Sequence, residues 1–122
     1  MNIVTIFVVD DEKFIQDIYK LALEFNGYQV VDTAYDGEEA VEKFRSMTPE
    51  PDIIIMDQRM PRKDGITATR EILAMSSHVK IIFSSADATV REDAFKAGAK
   101  GFLHKPFRMG TLMKEIKRVL SS

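Results

Sequence analysis

The chain has 122 residues, of which 45% are hydrophobic and 30% charged, and its formal net charge is −2. At this length roughly two thirds of the unfolded surface can be buried, so one core can form without covalent staples. The absence of cysteine excludes a disulfide framework, a thiolate nucleophile and cysteine-ligated metal centres. No apolar run approaches the ~20 residues of a membrane span, and Met1-Asn2 leads directly into the first predicted strand without a leader. We therefore expect one cytoplasmic domain over residues 1–122, with no membrane contact.

The charge is unevenly distributed along the chain. Seven basic residues and one acid lie between positions 96 and 122, which gives +6 there and leaves −8 to residues 1–95. No aromatic or arginine-rich recognition pattern accompanies this basic segment, so we do not expect direct binding to nucleic acid. A solvated helix face and a docking surface for an acidic partner remain as alternatives.

The first two predicted strands, 3–9 and 30–34, are each followed by a helical pattern. After the first strand, six apolar residues share one helix face, which is typical of a face packed against a core. They are Phe14, Ile15, Ile18, Leu21, Ala22 and Phe25. Asn26-Gly27 predicts the end of this helix. The second helix is predicted to begin at Asp36, with Glu39 three residues later as in a capping box, and to end before Pro49.

Three more strand and helix pairs complete the pattern. The strands are predicted at 53–56, 79–83 and 101–103, and the third helix is short, spanning Ile66 to Leu73. Asp87 is a predicted N-cap of the fourth helix, and Gly98 is suited to its C-terminal end. The fifth helix has a clear apolar pattern from Met109 to Leu120, but Arg108 stands where a capping residue is expected.

Alternating strands and helices predict a parallel sheet with right-handed crossovers and helices on both faces. The expected fold is a doubly wound α/β sandwich. In such sheets, ligands bind outside the carboxyl ends of the strands. The residues that follow each strand should therefore decide the function.

Chemically active side chains follow four of the predicted strands. The first strand ends in Asp10-Asp11-Glu12, the third in Asp57, the fourth in Ser84-Ser85, and the fifth runs into Lys105-Pro106. Crowded carboxylates repel one another unless a cation offsets them, and oxygen ligands suit Mg²⁺. A lysine and a hydroxyl beside Mg²⁺ are suited to the oxygens of a phosphoryl group.

Each of these residues also has an ordinary structural explanation by itself. An aspartate after a strand is often a helix cap, a serine pair is often a turn, and a lysine before proline is often an ordinary loop residue. Their joint occurrence at four strand ends favours a phosphoryl site.

Four motifs in this order resemble those of the receiver domains of two-component response regulators. They are VVDDE at 8–12, IIIMDQRMPRKDG at 53–65, IIFSSAD at 81–87 and GAKGFLHKPF at 98–107, and the resemblance covers essentially the whole chain. The resemblance implies a flavodoxin/CheY-like (βα)5 fold with five parallel strands in the order 2-1-3-4-5. It also implies a signalling switch in which Asp57 accepts a phosphoryl group from a phosphohistidine of a sensor histidine kinase or phosphotransfer protein.

The same resemblance implies a role for individual residues. Mg²⁺, or Mn²⁺ as a substitute, would be held by Asp10, Asp11, Asp57 and the main-chain carbonyl of Arg59. Lys105 would neutralise the acyl phosphate, and its bond to Pro106 is expected to be cis. Ser85, rather than Ser84, corresponds to the hydroxyl that moves to the phosphate, and Phe102 corresponds to the aromatic switch.

The output is expected at the surface formed by the fourth helix, the fifth strand and the fifth helix. That surface would change on phosphorylation, and would then bind a downstream effector protein or allow the phosphate to be passed on. The chain ends just after the last predicted helix, so we expect a stand-alone receiver, with the receiver of a longer regulator as the alternative. Chemotaxis, phosphorelay and transcription all remain open as pathways.

Two other classes of protein fit the sequence less well than a receiver does. A Mg²⁺-dependent phosphatase with an aspartyl intermediate usually needs a second acid two residues after the nucleophile, where this chain has Arg59. A flavodoxin-like cofactor binder needs a phosphate cradle in the first loop, where this chain has acids. We therefore expect no enzyme activity beyond the chain's own phosphorylation and dephosphorylation, and we expect Arg59 to block attacking water or pair with the phosphate or Asp87.

Overall fold

Five parallel strands form one sheet in the computed structural model, which describes residues 3–122. The sheet order is β2-β1-β3-β4-β5, as the resemblance implied. The strands are β1 Thr5–Val9, β2 Gln29–Ala34, β3 Ile53–Asp57, β4 Lys80–Ser85 and β5 Gly101–His104. The helices are α1 Lys13–Phe25, α2 Gly37–Arg45, α3 Gly65–Met75, α4 Arg91–Ala97 and α5 Met109–Ser121. The predicted doubly wound α/β fold is confirmed.

Two hydrophobic cores lie on opposite faces of the sheet. Helices α1 and α5 cover one face, where they pack on Ile6 and Val8 of β1 and on neighbouring strands. Helices α2, α3 and α4 cover the other face, which includes Phe7. Successive β1 side chains alternate between the two cores, as a strand covered on both faces requires. Among residues 3–122, no helix has both the length and the apolar character that a membrane crossing needs.

The predicted capping residues lie at the starts of helices, but two of them bond differently from the prediction. The Asp36 carboxylate accepts a hydrogen bond from the main-chain N–H of Glu39 at 2.7 Å, as predicted. The Glu39 carboxylate reaches back to the N–H of Tyr35 rather than to that of Asp36. Asp87 caps a short 3₁₀ turn over Ala88–Val90, which precedes α4. Gly98 follows α4 with φ +112°, the left-handed conformation expected of a helix end.

The interpretation of α1 was wrong in one respect: the helix does not bury the face predicted. Its buried residues are Gln16, Tyr19 and Leu23. Leu21 is 75% exposed and Phe25 91% exposed, although both belong to the apolar face predicted from the sequence. The helix is amphipathic at the predicted period, but it is rotated so that part of its apolar stripe lies in solvent.

A glycine allows α3 to approach the end of β3. A Cβ atom added at Gly65 would collide with the main-chain carbonyl oxygen of Asp57 and would lie 2.9 Å from Cζ of Phe83. At Gly110, in the first turn of α5, an added Cβ would meet no atom within 4 Å. A methyl side chain therefore has no room at Gly65 but has open space at Gly110.

We predict that Gly65→Ala lowers the free energy of unfolding by about 1–3 kcal/mol, the usual cost of overpacking. The control Gly110→Ala should raise it by up to ~1 kcal/mol, because alanine restricts the unfolded chain. Urea unfolding would measure both changes in free energy, provided that the dependence of the unfolding free energy on urea concentration is the same in all three proteins. A Gly65→Ala variant as stable as the wild type would show that close packing at Asp57 is not required.

Candidate functional site

Lys105 joins two buried carboxylates at the carboxyl edge of the sheet. Its ammonium nitrogen lies 3.1 Å from Oδ2 of Asp10 and 3.1 Å from Oδ1 of Asp57. Asp10 follows β1, Asp57 ends β3, and Lys105 follows β5. The bond from Lys105 to Pro106 is cis, as predicted. The parallel sheet thus brings together side chains that are 47 or more residues apart in the sequence.

The protonation of this trio is governed by burial and by the neighbouring charges. Burial raises the pKa of Asp57 to about 6; Asp10 and Asp11 also raise it, and Lys105 lowers it. Burial alone would lower the pKa of Lys105, but the carboxylates of Asp57 and Asp10 outweigh it, so the pKa rises above its ordinary value. Lys105 is therefore a permanent cation, and the site still carries an excess of negative charge.

The loop after β1 adds a cluster of acidic oxygens. Carboxylate oxygens of Asp10, Asp11 and Glu12 can lie within 4.8 Å of one another, with Asp10 buried and the other two exposed. Oδ1 of Asp10 accepts the main-chain N–H of Glu12 at 3.0 Å, which fixes its orientation. Hard, charged oxygen donors beside a carboxylate with a raised pKa fit a divalent cation such as Mg²⁺. Glu12 is an addition to the predicted set.

The two serines at the end of β4 face different surroundings. Oγ of Ser85 accepts the main-chain N–H of Asp87 at 3.0 Å. Ser84 lies beside Asp57 in the β3–β4 register, and its hydroxyl is buried without a hydrogen-bond partner in the described part of the chain. Ser85 thus lies at the start of the loop to α4, while its hydroxyl bonds within that loop.

Phe102 is half-buried in β5. Its ring stacks on Phe83 with 6.4 Å between centroids. Its main-chain N–H donates to Oε2 of Glu115 at 3.0 Å. Both the ring and the backbone of the predicted switch residue are therefore held by neighbours in the structure.

Arg59 lies exposed, two residues after Asp57. Within residues 3–122 it forms no ion pair, so the direct pairing with Asp87 that we considered is not present. Hydrogen bonds from Thr89 are the main cause that lowers the pKa of Asp87, and the charge of Arg59 contributes at longer range.

Sequence reasoning missed two residues of α1 that lie under the site. Nε2 of Gln16 donates to the carbonyl oxygens of Asp10 and Ala34, each at 2.8 Å, and so ties the ends of β1 and β2 together. Tyr19 is buried nearby, and burial raises its pKa to about 12. The i, i+3 spacing of these two residues was visible, but the larger apolar residues at 14, 18, 21 and 25 obscured it.

Comparisons with known proteins agree with this geometry. Residues 6–117 match the family model described as the response regulator receiver domain. The chain is 39% identical over 118 residues to the chemotaxis protein CheY of Bacillus subtilis, covering 95% of this chain and 97% of that protein.

Two solved structures are also similar. The crystal structure of a CheX-CheY complex with BeF3 and Mg²⁺ from Borrelia burgdorferi matches with a TM-score of 0.91 and 31% identity, covering 96% of this chain and 89% of that chain. The response regulator TrrA of Thermotoga maritima, in complex with Mg²⁺ and BeF, matches with a TM-score of 0.86 and 35% identity, covering 96% and 99%.

We predict that Asp57→Asn stabilises the Mg²⁺-free protein at pH 8 by about 1 kcal/mol, roughly 3–6 °C in Tm. The pKa of Asp57 is higher in the folded state, about 6 against 3.8, so ionisation opposes folding and wild-type stability falls as pH rises through that window. The stability of Asp57→Asn should not fall in this way as the pH rises. Asp17→Asn, at an exposed surface pair, is the control and should change little. A lower Tm for Asp57→Asn at pH 8 would mean that attraction to Lys105 exceeds the cost of burial.

Proposed function

Because this chain belongs to the response regulator receiver domains, and so is a phosphorylation-activated signalling switch, we propose that Asp57 is its phosphorylated residue. The observation that carries the proposal is the contact of the buried Asp57 carboxylate with the Lys105 ammonium, beside the acidic loop after β1. One oxygen of Asp57 accepts a hydrogen bond from Lys105. The other accepts none from residues 3–122, which leaves it available as a nucleophile.

The proposed reaction is transfer from a phosphohistidine of a sensor histidine kinase or phosphotransfer protein. A new bond forms between phosphorus and the free oxygen of Asp57 while the phosphorus–nitrogen bond of the donor breaks, and the departing imidazole keeps that electron pair and takes a proton. Asp57 must be ionised to attack, which a pKa of about 6 allows at neutral pH. Positioning and charge neutralisation are most of what this chemistry requires of the protein.

The proposal includes a bound divalent cation. Asp10, Asp11, Asp57 and the main-chain carbonyl of Arg59 would hold Mg²⁺, with Mn²⁺ as a substitute, and Glu12 lies close enough to contribute through water. When bound, the cation offsets negative charge on the phosphoryl oxygens. Lys105 would also stabilise the acyl phosphate, because it already contacts the accepting carboxylate.

The output proposed for this switch is the surface formed by α4, β5 and α5. Phosphorylation adds one to two negative charges beside Lys105. Ser85 would then leave its bond to Asp87 for the phosphate, and Phe102 would repack against the space that the loop vacates. Several basic residues, such as Lys100 and Lys117, border this surface, which supports an effector protein with an acidic binding segment. We further propose that the chain acts as one receiver unit over residues 1–122, in the cytoplasm, without binding nucleic acid or membrane directly.

We predict that Asp57→Asn abolishes phosphorylation by a small acyl phosphate in Mg²⁺, because the amide keeps the shape of the carboxylate and loses its nucleophilic oxygen. Mass spectrometry should find one hydroxylamine-labile phosphoryl group on the wild type and none on the variant. Asp17→Asn should be labelled like the wild type. One phosphoryl group on Asp57→Asn would refute Asp57 as the acceptor, and steady release of phosphate from added phosphomonoesters would instead support a phosphatase.

We predict that Arg59→Asn loses its phosphate about two- to tenfold faster than the wild type, a change in barrier below ~1.4 kcal/mol. The long side chain at the mouth of the site should obstruct an attacking water, whereas Lys105 and Mg²⁺ already supply most of the charge neutralisation. Decay would be followed in excess Mg²⁺ after the donor is removed, with Arg45→Asn on α2 as the control. An equal or slower rate of phosphate loss in Arg59→Asn would contradict the prediction that the Arg59 side chain obstructs the attacking water.

A further inference from the structure

Arg62 has an unusual backbone conformation in the loop that follows the phosphorylation site. Its φ is +67°, and it is the one residue other than glycine with positive φ among residues 3–122. This left-handed region is unfavourable for a side chain with a Cβ atom, and glycine or asparagine normally occupies it. An arginine held in such a conformation calls for a compensating interaction of its side chain.

The compensating interaction is an ion pair with Asp36, at the start of α2. Nε of Arg62 donates to Oδ2 of Asp36 at 3.1 Å, and a second guanidinium nitrogen donates to the same oxygen. The Asp36 residue is only 4% exposed, and its other oxygen accepts the N–H of Glu39. Burial would raise the pKa of Asp36, but these hydrogen bonds outweigh burial and lower it, so the carboxylate remains charged.

A main-chain hydrogen bond lies directly beside this ion pair. The N–H of Gly37 donates to the carbonyl oxygen of Lys63 at 3.0 Å, and a Cβ atom at Gly37 would collide with that same oxygen. The loop from Gln58 to Asp64 is thus attached to the first turn of α2 at two successive residues, Arg62 and Lys63.

The loop is also closed at its base. The N–H of Gly65 donates to the carbonyl oxygen of Gln58, and that of Ile66 donates to the Gln58 side chain. Between these points, the side chain of Met60 packs against the hydrophobic core and Lys63 pairs with Glu71 of α3. The bonds of Arg62 and Lys63 to the start of α2 are the further contacts of this loop. The attachment to α2 therefore adds to the packing of Met60 in limiting the conformations of the segment that immediately follows Asp57.

We propose that Arg62 is a positioning residue for phosphorylation: its ion pair with Asp36 holds the loop after Asp57 in the shape that binds the divalent cation. The inference rests on the proposed function, in which the main-chain carbonyl of Arg59 is a metal ligand. Loss of the pair leaves Asp57 and Lys105 in place, but it restores freedom to the loop, and that freedom must then be lost on binding. Metal affinity should therefore weaken while the fold persists.

The test uses Mg²⁺ alone, without a phosphodonor, and isothermal titration calorimetry. Arg62→Met keeps the length of the side chain and removes its charge, and it should raise the Kd for Mg²⁺ by about tenfold, the lower end for loss of a contact that orients a ligand. Asp36→Asn keeps a good N-cap and should have a similar effect. The double variant should bind no more weakly than Arg62→Met, because Arg62→Met already removes the pair with Asp36 together with the longer contact of Arg62 with Glu38.

Two further variants separate the side chain from the backbone. Arg62→Gly removes the unfavourable φ together with the ion pair, so it should bind Mg²⁺ as weakly as Arg62→Met. Arg62→Lys is a conservative change, and its Kd for Mg²⁺ should lie between those of Arg62→Met and the wild type. Amides of residues 58–64 should exchange hydrogen faster in Arg62→Met. Its thermal midpoint should fall, because the buried Asp36 carboxylate loses its charged partner, but unfolding should remain a single transition. Arg45→Met, which removes another arginine ion pair from α2, should leave the Kd unchanged.

The outcomes distinguish this inference from the proposed function. A wild-type protein that is phosphorylated on Asp57, with Arg62→Met and Asp36→Asn each within twofold of its Kd for Mg²⁺, would overturn the positioning role alone. Wild-type affinity in Arg62→Gly would also overturn it, since backbone conformation would then suffice without the ion pair. An unphosphorylated wild type would overturn the proposed function instead. In the expected case, saturating Mg²⁺ restores most of the phosphorylation rate of Arg62→Met.

Discussion

The ammonium of Lys105 between two buried carboxylates is the interaction on which the rest of this structure depends. Burying Asp10 and Asp57 side by side opposes folding, since like charges repel and lose their hydration. Lys105 offsets part of that cost, and the raised pKa of Asp57 shows that a remainder persists. The remaining negative charge is what suits the site to a divalent cation. Folding thus leaves a net negative charge at this edge of the sheet, which a bound cation would offset.

Much of this arrangement could be predicted from the sequence because its determinants are local or follow from topology. Parallel strands place their carboxyl ends at one edge, so Asp10, Asp57 and Lys105 had to be neighbours once five strand and helix pairs were recognised. The orientation of α1 was harder. Period alone defines an apolar stripe, but which side of the stripe faces the sheet depends on packing, and here Gln16 is drawn inward by two carbonyl oxygens.

Arg62 could not be predicted for a different reason. Its partner Asp36 is 26 residues away in another loop. An arginine in a sequence also does not predict the left-handed backbone conformation that Arg62 adopts. Asp36 itself was predicted correctly as a cap, but a buried carboxylate has two oxygens, and the sequence identifies a partner only for one. Contacts between loops are therefore the part of the site that only the three-dimensional structure reveals.

The contact between Glu115 and Phe102 has a consequence for how partners can approach. β5 is an edge strand, and such edges invite the addition of a strand from another chain. Glu115 occupies the outward amide of Phe102, Gly101 lacks the side chain that would obstruct it, and Arg118 braces the carboxylate from the far side with hydrogen bonds of 2.8 and 2.9 Å. An incoming strand would have to displace a charged, doubly bonded group. The exposed edge of β5 is therefore obstructed at Phe102, which hinders the addition of a strand there and the β-sheet association that leads to aggregation.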